Sequence, residues 1–324
     1  MQRIETAMIE KAIALLSSGE VTRVLGWKKG ELGYDVEPCV FKTEESLKDF
    51  CYNAFCGANL CKYLVEESKK EGKILVFLKP CDSYSFNQLI KEHRIKKENV
   101  YTIGVECQGK VDPYKLKENG IEIVDGAVET VDNVTVKANG KDYSFKKEDI
   151  ILGKCLTCTK KPLSYDDAIS FNEKREPALD RFEMVKKLEA MTADERYAFW
   201  KDQLSNCIRC NACRNVCPAC TCTKCVFDND NSGIASKANS DSFEEKLFHI
   251  IRAFHVAGRC TDCGECSRVC PSRIPLQLLN RKFISDIDRL YGEYQAGEDT
   301  DSKGPLTNYT TGDVDPSEVF GGND

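Results

Sequence analysis

Apolar residues open the chain at helical spacing, at Ile4, Met8, Ala12 and Leu15, and predict a helix over 3–17. Val21–Leu25 and Pro38–Phe41 are short runs of strand length, and Cys56–Glu67 carries a helical pattern. Ile74–Leu78 is an unbroken apolar run, followed by a helical stretch over Tyr84–His93 and a second such run at Val100–Val105. Strand, helix and strand in that order predict a parallel βαβ unit, whose strands are buried on both faces. From Ile121 to Phe145 the pattern changes to short alternating runs around Asn139-Gly140, a tight-hairpin signal. Charged positions then dominate two helix-like stretches, Asp180–Met191 and Thr192–Leu204, and a further helix is expected over Ser242–Ala257.

These patterns predict an α/β N-terminal domain over 1–162 with a small antiparallel appendage and a helical linker over 163–206. A mostly helical ferredoxin-type domain over 207–292 and an acidic, flexible tail over 293–324 complete the expected order. From Gly297 onward the chain holds seven acids against one Lys, a composition that does not fold alone; docking on a partner through Val319-Phe320 is the lesser alternative. No apolar run approaches the ~20 residues of a membrane span. The opening Met1–Glu5 carries acid early, unlike a signal peptide, so a cytoplasmic location is expected.

Charge narrows the partners. With 46 basic and 52 acidic residues the net charge is −6, which argues against nucleic acid, whose binding relies on clustered positive charge. Only 3 His are present, so catalysis built on several histidines has little material, and no catalytic residue is assigned. His249 and His255 are expected to pack rather than ligate. The 19 Cys change the picture. An odd number cannot all pair, and a cytosolic chain does not normally build a disulfide framework, so the cysteines point to metal.

Their spacing selects the metal. Cys207, Cys210, Cys213 and Cys217-Pro218 recur as Cys260, Cys263, Cys266 and Cys270-Pro271. Both are C-x2-C-x2-C-x3-C-P, the run in which three thiolates wrap one cubane and the fourth ligates the other cluster. One 4Fe-4S cluster is thus expected on Cys207, Cys210, Cys213 and Cys270, and a second on Cys260, Cys263, Cys266 and Cys217. Zinc, held by two pairs per site, does not explain a triplet plus a lone Cys-Pro, twice. Cys220, Cys222 and Cys225 follow; they either ligate a further metal or shield the clusters. In the N-terminal half Cys81 and Cys107 each follow a predicted strand, and Cys155 and Cys158 form a C-x2-C. Ligands collect at the carboxyl ends of parallel strands. These four are enough for a third cluster, or they are buried thiols packing as small hydrophobes.

Gly104-x4-Gly109-Lys110 mimics a phosphate loop, but Val111 replaces its Ser/Thr and Pro113 follows where a helix should start. Lys79-Pro80-Cys81-Asp82, Gly104–Cys107 and the Cys155–Cys158 pair resemble the beta subunits of deazaflavin-coenzyme-reducing hydrogenases and formate dehydrogenases. In that family equivalent cysteines hold an iron–sulfur cluster beside a flavin. The dicluster run with Cys217-Pro-Ala-Cys220-Thr-Cys222 is similar to iron–sulfur subunits of hydrogenase, formate dehydrogenase and heterodisulfide-reductase-like complexes of anaerobes. The family's flavin loop, Gly-Gly-x-x-Thr, here reads Cys56-Gly57-Ala58-Asn59-Leu60, without the second Gly and the Thr. The resemblance implies an electron-transfer subunit of an anaerobic multi-subunit oxidoreductase, with other redox subunits as partners. Its alternative is a flavin-bearing subunit that reduces or oxidises a soluble carrier.

Overall fold

The computed structural model describes residues 2–163, 165–169, 177–229 and 242–307. Helix α1 (Gln2–Ser17) puts Ile4, Met8 and Ala12 into the core, as its spacing requires. Strands β1 (Arg23–Lys29), β2 (Val36–Phe41) and β3 (Phe50–Cys51) follow, then α2 (Cys61–Glu67), β4 (Ile74–Leu78), α3 (Pro80–Lys91) and β5 (Val100–Val105). The apolar run of β4 is buried at every position. It lies between β1 and β5, parallel to both. The sheet order is β2-β1-β4-β5-β9, where β9 is Asp167–Ile169. β2 and β3 pair antiparallel with β1, so one end of the sheet is mixed.

Two expected helices shift. α2 starts at Cys61, because 56–60 is an irregular buried loop in which the Cys61 amide donates to Asn59 Oδ1 at 2.9 Å. α3 starts earlier than the apolar spacing suggests, at Pro80, a residue suited to the first helical position. That change places Cys81 in the first turn of a helix, directly after β4.

The appendage is a three-stranded sheet of β6 (Gly126–Glu129), β7 (Asn133–Ala138) and β8 (Lys141–Lys146). Asn139 and Gly140 turn β7 into β8 with φ of 52° and 69°, the two left-handed residues of a type I′ hairpin. Short α4 (Pro113–Glu118), α5 (Lys147–Ile150) and α6 (Gly153–Leu156) link this sheet back to the main one. The stretch from 163 to 206 supplies β9 as well as α7 (Glu183–Glu189) and α8 (Ala193–Ser205). The second half adds α9 (Ala212–Asn215), α10 (Ser242–His255), α11 (Glu265–Arg268) and α12 (Leu276–Tyr291).

The two halves meet through buried polar contacts. Arg281 donates to Thr157 Oγ1 at 2.6 Å, and Ser85 and Thr261 hydroxyls lie 3.0 Å apart. Lys154 bridges Gly57 O (2.9 Å) and the Glu265 carboxylate. The expected flexible tail divides. Residues 293–307 pack on the molecule, with Ala296 buried and Lys91 3.3 Å from Asp299, whereas 308–324, with Val319-Phe320, lie outside the described residues. No helix among the described residues is long and apolar enough to cross a membrane.

Candidate metal centres

The repeat is visible in the backbone before any sulfur is considered. Arg209 and Asn211 take φ of 53° and 61°, and Asp262 and Gly264, at the matching places of the second run, take 59° and 68°. Each run then enters a one-turn helix, α9 or α11. Left-handed residues between the cysteines turn successive N–H groups toward one point, which favours negative charge there. The Arg209 amide donates to Cys207 Sγ at 3.4 Å, and the Asp262 amide to the Cys260 sulfur. Gly264 is required sterically as well: a Cβ there would stand 2.5 Å from Lys154 Cβ.

The structure brings the crossed sets together. Cys207, Cys210, Cys213 and Cys270 line one cavity of about 20 Å³, with Phe248 and His249 on its wall. His249 is buried, and its Nε2 lies 3.2 Å from Cys207 Sγ, a contact beyond the packing role that its position suggests. Cys217 faces Cys260, Cys263 and Cys266. Burial drives the Cys213 and Cys260 thiols up to about 12. A hydrogen bond from Cys220 brings Cys217 down to about 6. Thiolate, not thiol, ligates iron, so filling such a site displaces protons.

In the N-terminal half the parallel register sets Leu78 opposite Gly104, so that Cys81 and Cys107 emerge at the same edge of the sheet. Helix α6 and the residue pair after it deliver Cys155 and Cys158. Cys81, Cys155 and Cys158 line a cavity of about 30 Å³, and Cys107 faces both Cys155 and Cys158. Cys263 lines that cavity too, so the sheet-edge site adjoins the second dicluster set. Burial lifts Cys155 to about 12, while Lys154 pulls it the other way.

Among the described residues no three His, Cys, Asp or Glu side chains converge tightly enough to clasp a single ion. Thiols spaced around a cavity suit a multi-iron cluster instead. Cys220 lies against Cys217, Cys222 is exposed and Cys225 accepts from Arg214; these three do not converge on one point among the described contacts. The loop matching the family's flavin loop offers no open cradle. Its Ala58 and Gly57 carbonyls accept from Lys79 (2.8 Å) and Lys154, and a Cβ on Gly57 would meet Leu152 at 3.0 Å and Arg268 at 3.3 Å.

Sequence reasoning missed the charged shell: Lys79–Asp82 (2.6 Å), Lys154–Glu265 and Arg281–Asp262 (2.9 Å) are buried around the cysteines, with the partly exposed Arg268 beside Glu265. In the sequence such residues look like any solvated face.

Residues 203–274 match the model of the 4Fe-4S dicluster domain family. The chain is 24% identical to the F420-dependent formate dehydrogenase subunit beta of Methanocaldococcus jannaschii, covering 91% of this chain and 92% of that protein. It is 25% identical to the F420-dependent formate dehydrogenase 1 subunit beta of Methanococcus maripaludis, over 67% of this chain and 72% of that one. A chain of the F420-reducing NiFe hydrogenase complex of Methanosarcina barkeri aligns with 48% of this chain and 62% of its own, at 16% identity and a TM-score of 0.38. The chain is thus similar along most of its length to a beta subunit of F420-dependent formate dehydrogenase, and its residues 203–274 match a 4Fe-4S dicluster domain.

Proposed function

We propose that this chain is the iron–sulfur electron-transfer subunit of a cytoplasmic oxidoreductase complex, with a mostly helical, ferredoxin-type dicluster domain and a third cluster at the sheet edge. Bound 4Fe-4S clusters supply one-electron steps. The chain's residues do the rest: Cys207, Cys210, Cys213 and Cys270 hold one site, Cys260, Cys263, Cys266 and Cys217 the next, and Cys81, Cys107, Cys155 and Cys158 the third. Backbone amides at Arg209 and Asp262 donate to the sulfurs, and the buried walls exclude water, two settings that tune reduction potential. The observation that carries this reading is the order of the sites. Cys213 of the first faces Cys266 of the second, and Cys263 of the second lines the cavity of the third.

The relatives are named as beta subunits of formate dehydrogenases, so the remaining subunits of such a complex are the class of partner. Anaerobic purification followed by iron and sulfide analysis is expected to give about twelve of each per chain. Cys155→Ala with Cys158→Ala should lower iron by about four while leaving the dicluster signals intact. Stoichiometric zinc, or unchanged iron in the double variant, would overturn the assignment. A flavin-bearing subunit is the second reading, favoured by a cavity of about 390 Å³ that Tyr114, Arg268 and Arg273 line beside Cys270. Flavin released by acid from the purified chain selects it.

A further inference from the structure

We propose that Arg252 is an electrostatic bridge between the two cysteine sites of the dicluster domain, a fixed cation that raises the reduction potentials of both clusters together. The inference rests on the cluster assignment above and adds a residue that no cysteine pattern reveals. Arg252 sits on α10, the helix between the two cysteine runs, and is 3% exposed. Its guanidinium faces Cys213 of the first site and Cys217 and Cys266 of the second, and it donates to the Cys266 sulfur. Nε and Nη1 have no hydrogen-bond partner.

Those unpartnered nitrogens set Arg252 apart. Among the other buried cations, Lys79, Lys154, Arg23 and Arg281 each pair with a carboxylate, and Lys110 and Lys147 each donate to a backbone carbonyl. Arg252 shows no carboxylate partner among the described residues; the largest charges that favour its cationic form belong to cysteines. An unpaired buried charge is costly, and arginine does not escape that cost by losing its proton. The counter-charge must then come from the thiolates that ligate iron. Each one-electron reduction adds negative charge to a thiolate-bound cluster, so a fixed cation within reach stabilises the reduced form. Because Arg252 faces ligands of both sites, its effect is shared.

The test is a redox titration of the full, anaerobically purified chain, followed by electron paramagnetic resonance, with iron content measured on the same samples. In Arg252→Gln, iron content should stay at the wild-type value while both dicluster potentials shift downward. Arg252→Lys should restore both toward wild type. Unshifted potentials in Arg252→Gln, a shift in one cluster alone, or an Arg252→Lys variant that shifts as far as Arg252→Gln would overturn the bridge. Should Arg252→Gln lose its iron, Arg252→Lys decides. Full iron at near wild-type potentials supports the charge role, and lost iron assigns Arg252 to packing and overturns it. Absence of both clusters from the wild-type chain would instead strike the cluster assignment, so the two failures are distinguishable.

Discussion

At the scale of single residues, Glu265 ties the α/β half to the dicluster half. It is 1% exposed, accepts from Lys154, and holds a bidentate pair with Arg268 at 2.8 Å. Burial alone pushes its carboxyl up, but Lys154 and Arg268 outweigh it and hold the group well below the usual carboxylate range. Glu265→Gln would leave Lys154 buried without its counter-ion, at a cost of about 3–5 kcal/mol, seen as a lower thermal midpoint at neutral pH. A carboxyl depressed in the fold contributes its full stability above its unfolded pKa of about 4.3, and loses it as pH falls through the folded value. Acid denaturation of the wild type should therefore include a contribution, on the acid side of about pH 4, that the Gln variant lacks. None of this was legible from sequence. A cysteine's role is written in its spacing, whereas a lysine or glutamate reads the same whether solvated or buried.

Among the elements, the legible ones were α1 by its periodicity, β4 and β5 by their unbroken apolar runs, and the hairpin of β7 and β8 by its turn. The hairpin was readable because the type I′ turn demands two left-handed residues, and Asn139-Gly140 is the pair that tolerates it. Gly140→Val should cost about 1–2 kcal/mol of stability, read as a lower thermal midpoint, and leave iron content unchanged, since a Cβ at Gly140 meets nothing within 4 Å. Equal stability of that variant would mean that the turn relaxes to another geometry. β9 escaped notice because it is three residues long and buries only Ile169. The start of α3 was misplaced because Lys79-Pro80 reads as a loop, although Pro at a first helical position begins a helix.

At the scale of the whole molecule, the apolar surface left exposed bears on association. Tyr197, Ile250 and Phe254 are exposed on the α8–α10 side, around a cavity of about 390 Å³ whose wall includes Trp200, Leu279 and Phe283. A relay also needs its two ends near partners. Native purification is therefore expected to give a stable hetero-oligomer, with a permanent interface above roughly 2,000 Å² in total. A fully active monomer that diffuses as a carrier would contradict it. The net charge of −6 gives little steering for such transient docking.

The crossed cysteine sets also bear on the birth of the protein at the ribosome. Cys270 is needed to close the cavity that begins at Cys207, and Cys217 faces the run that begins at Cys260. Under the proposed sets, the second gains all four thiols only with Cys266 and the first only with Cys270, so neither can form from its own run alone. Because each proposed set takes its fourth thiol from the other run, a change in either run reaches both sets.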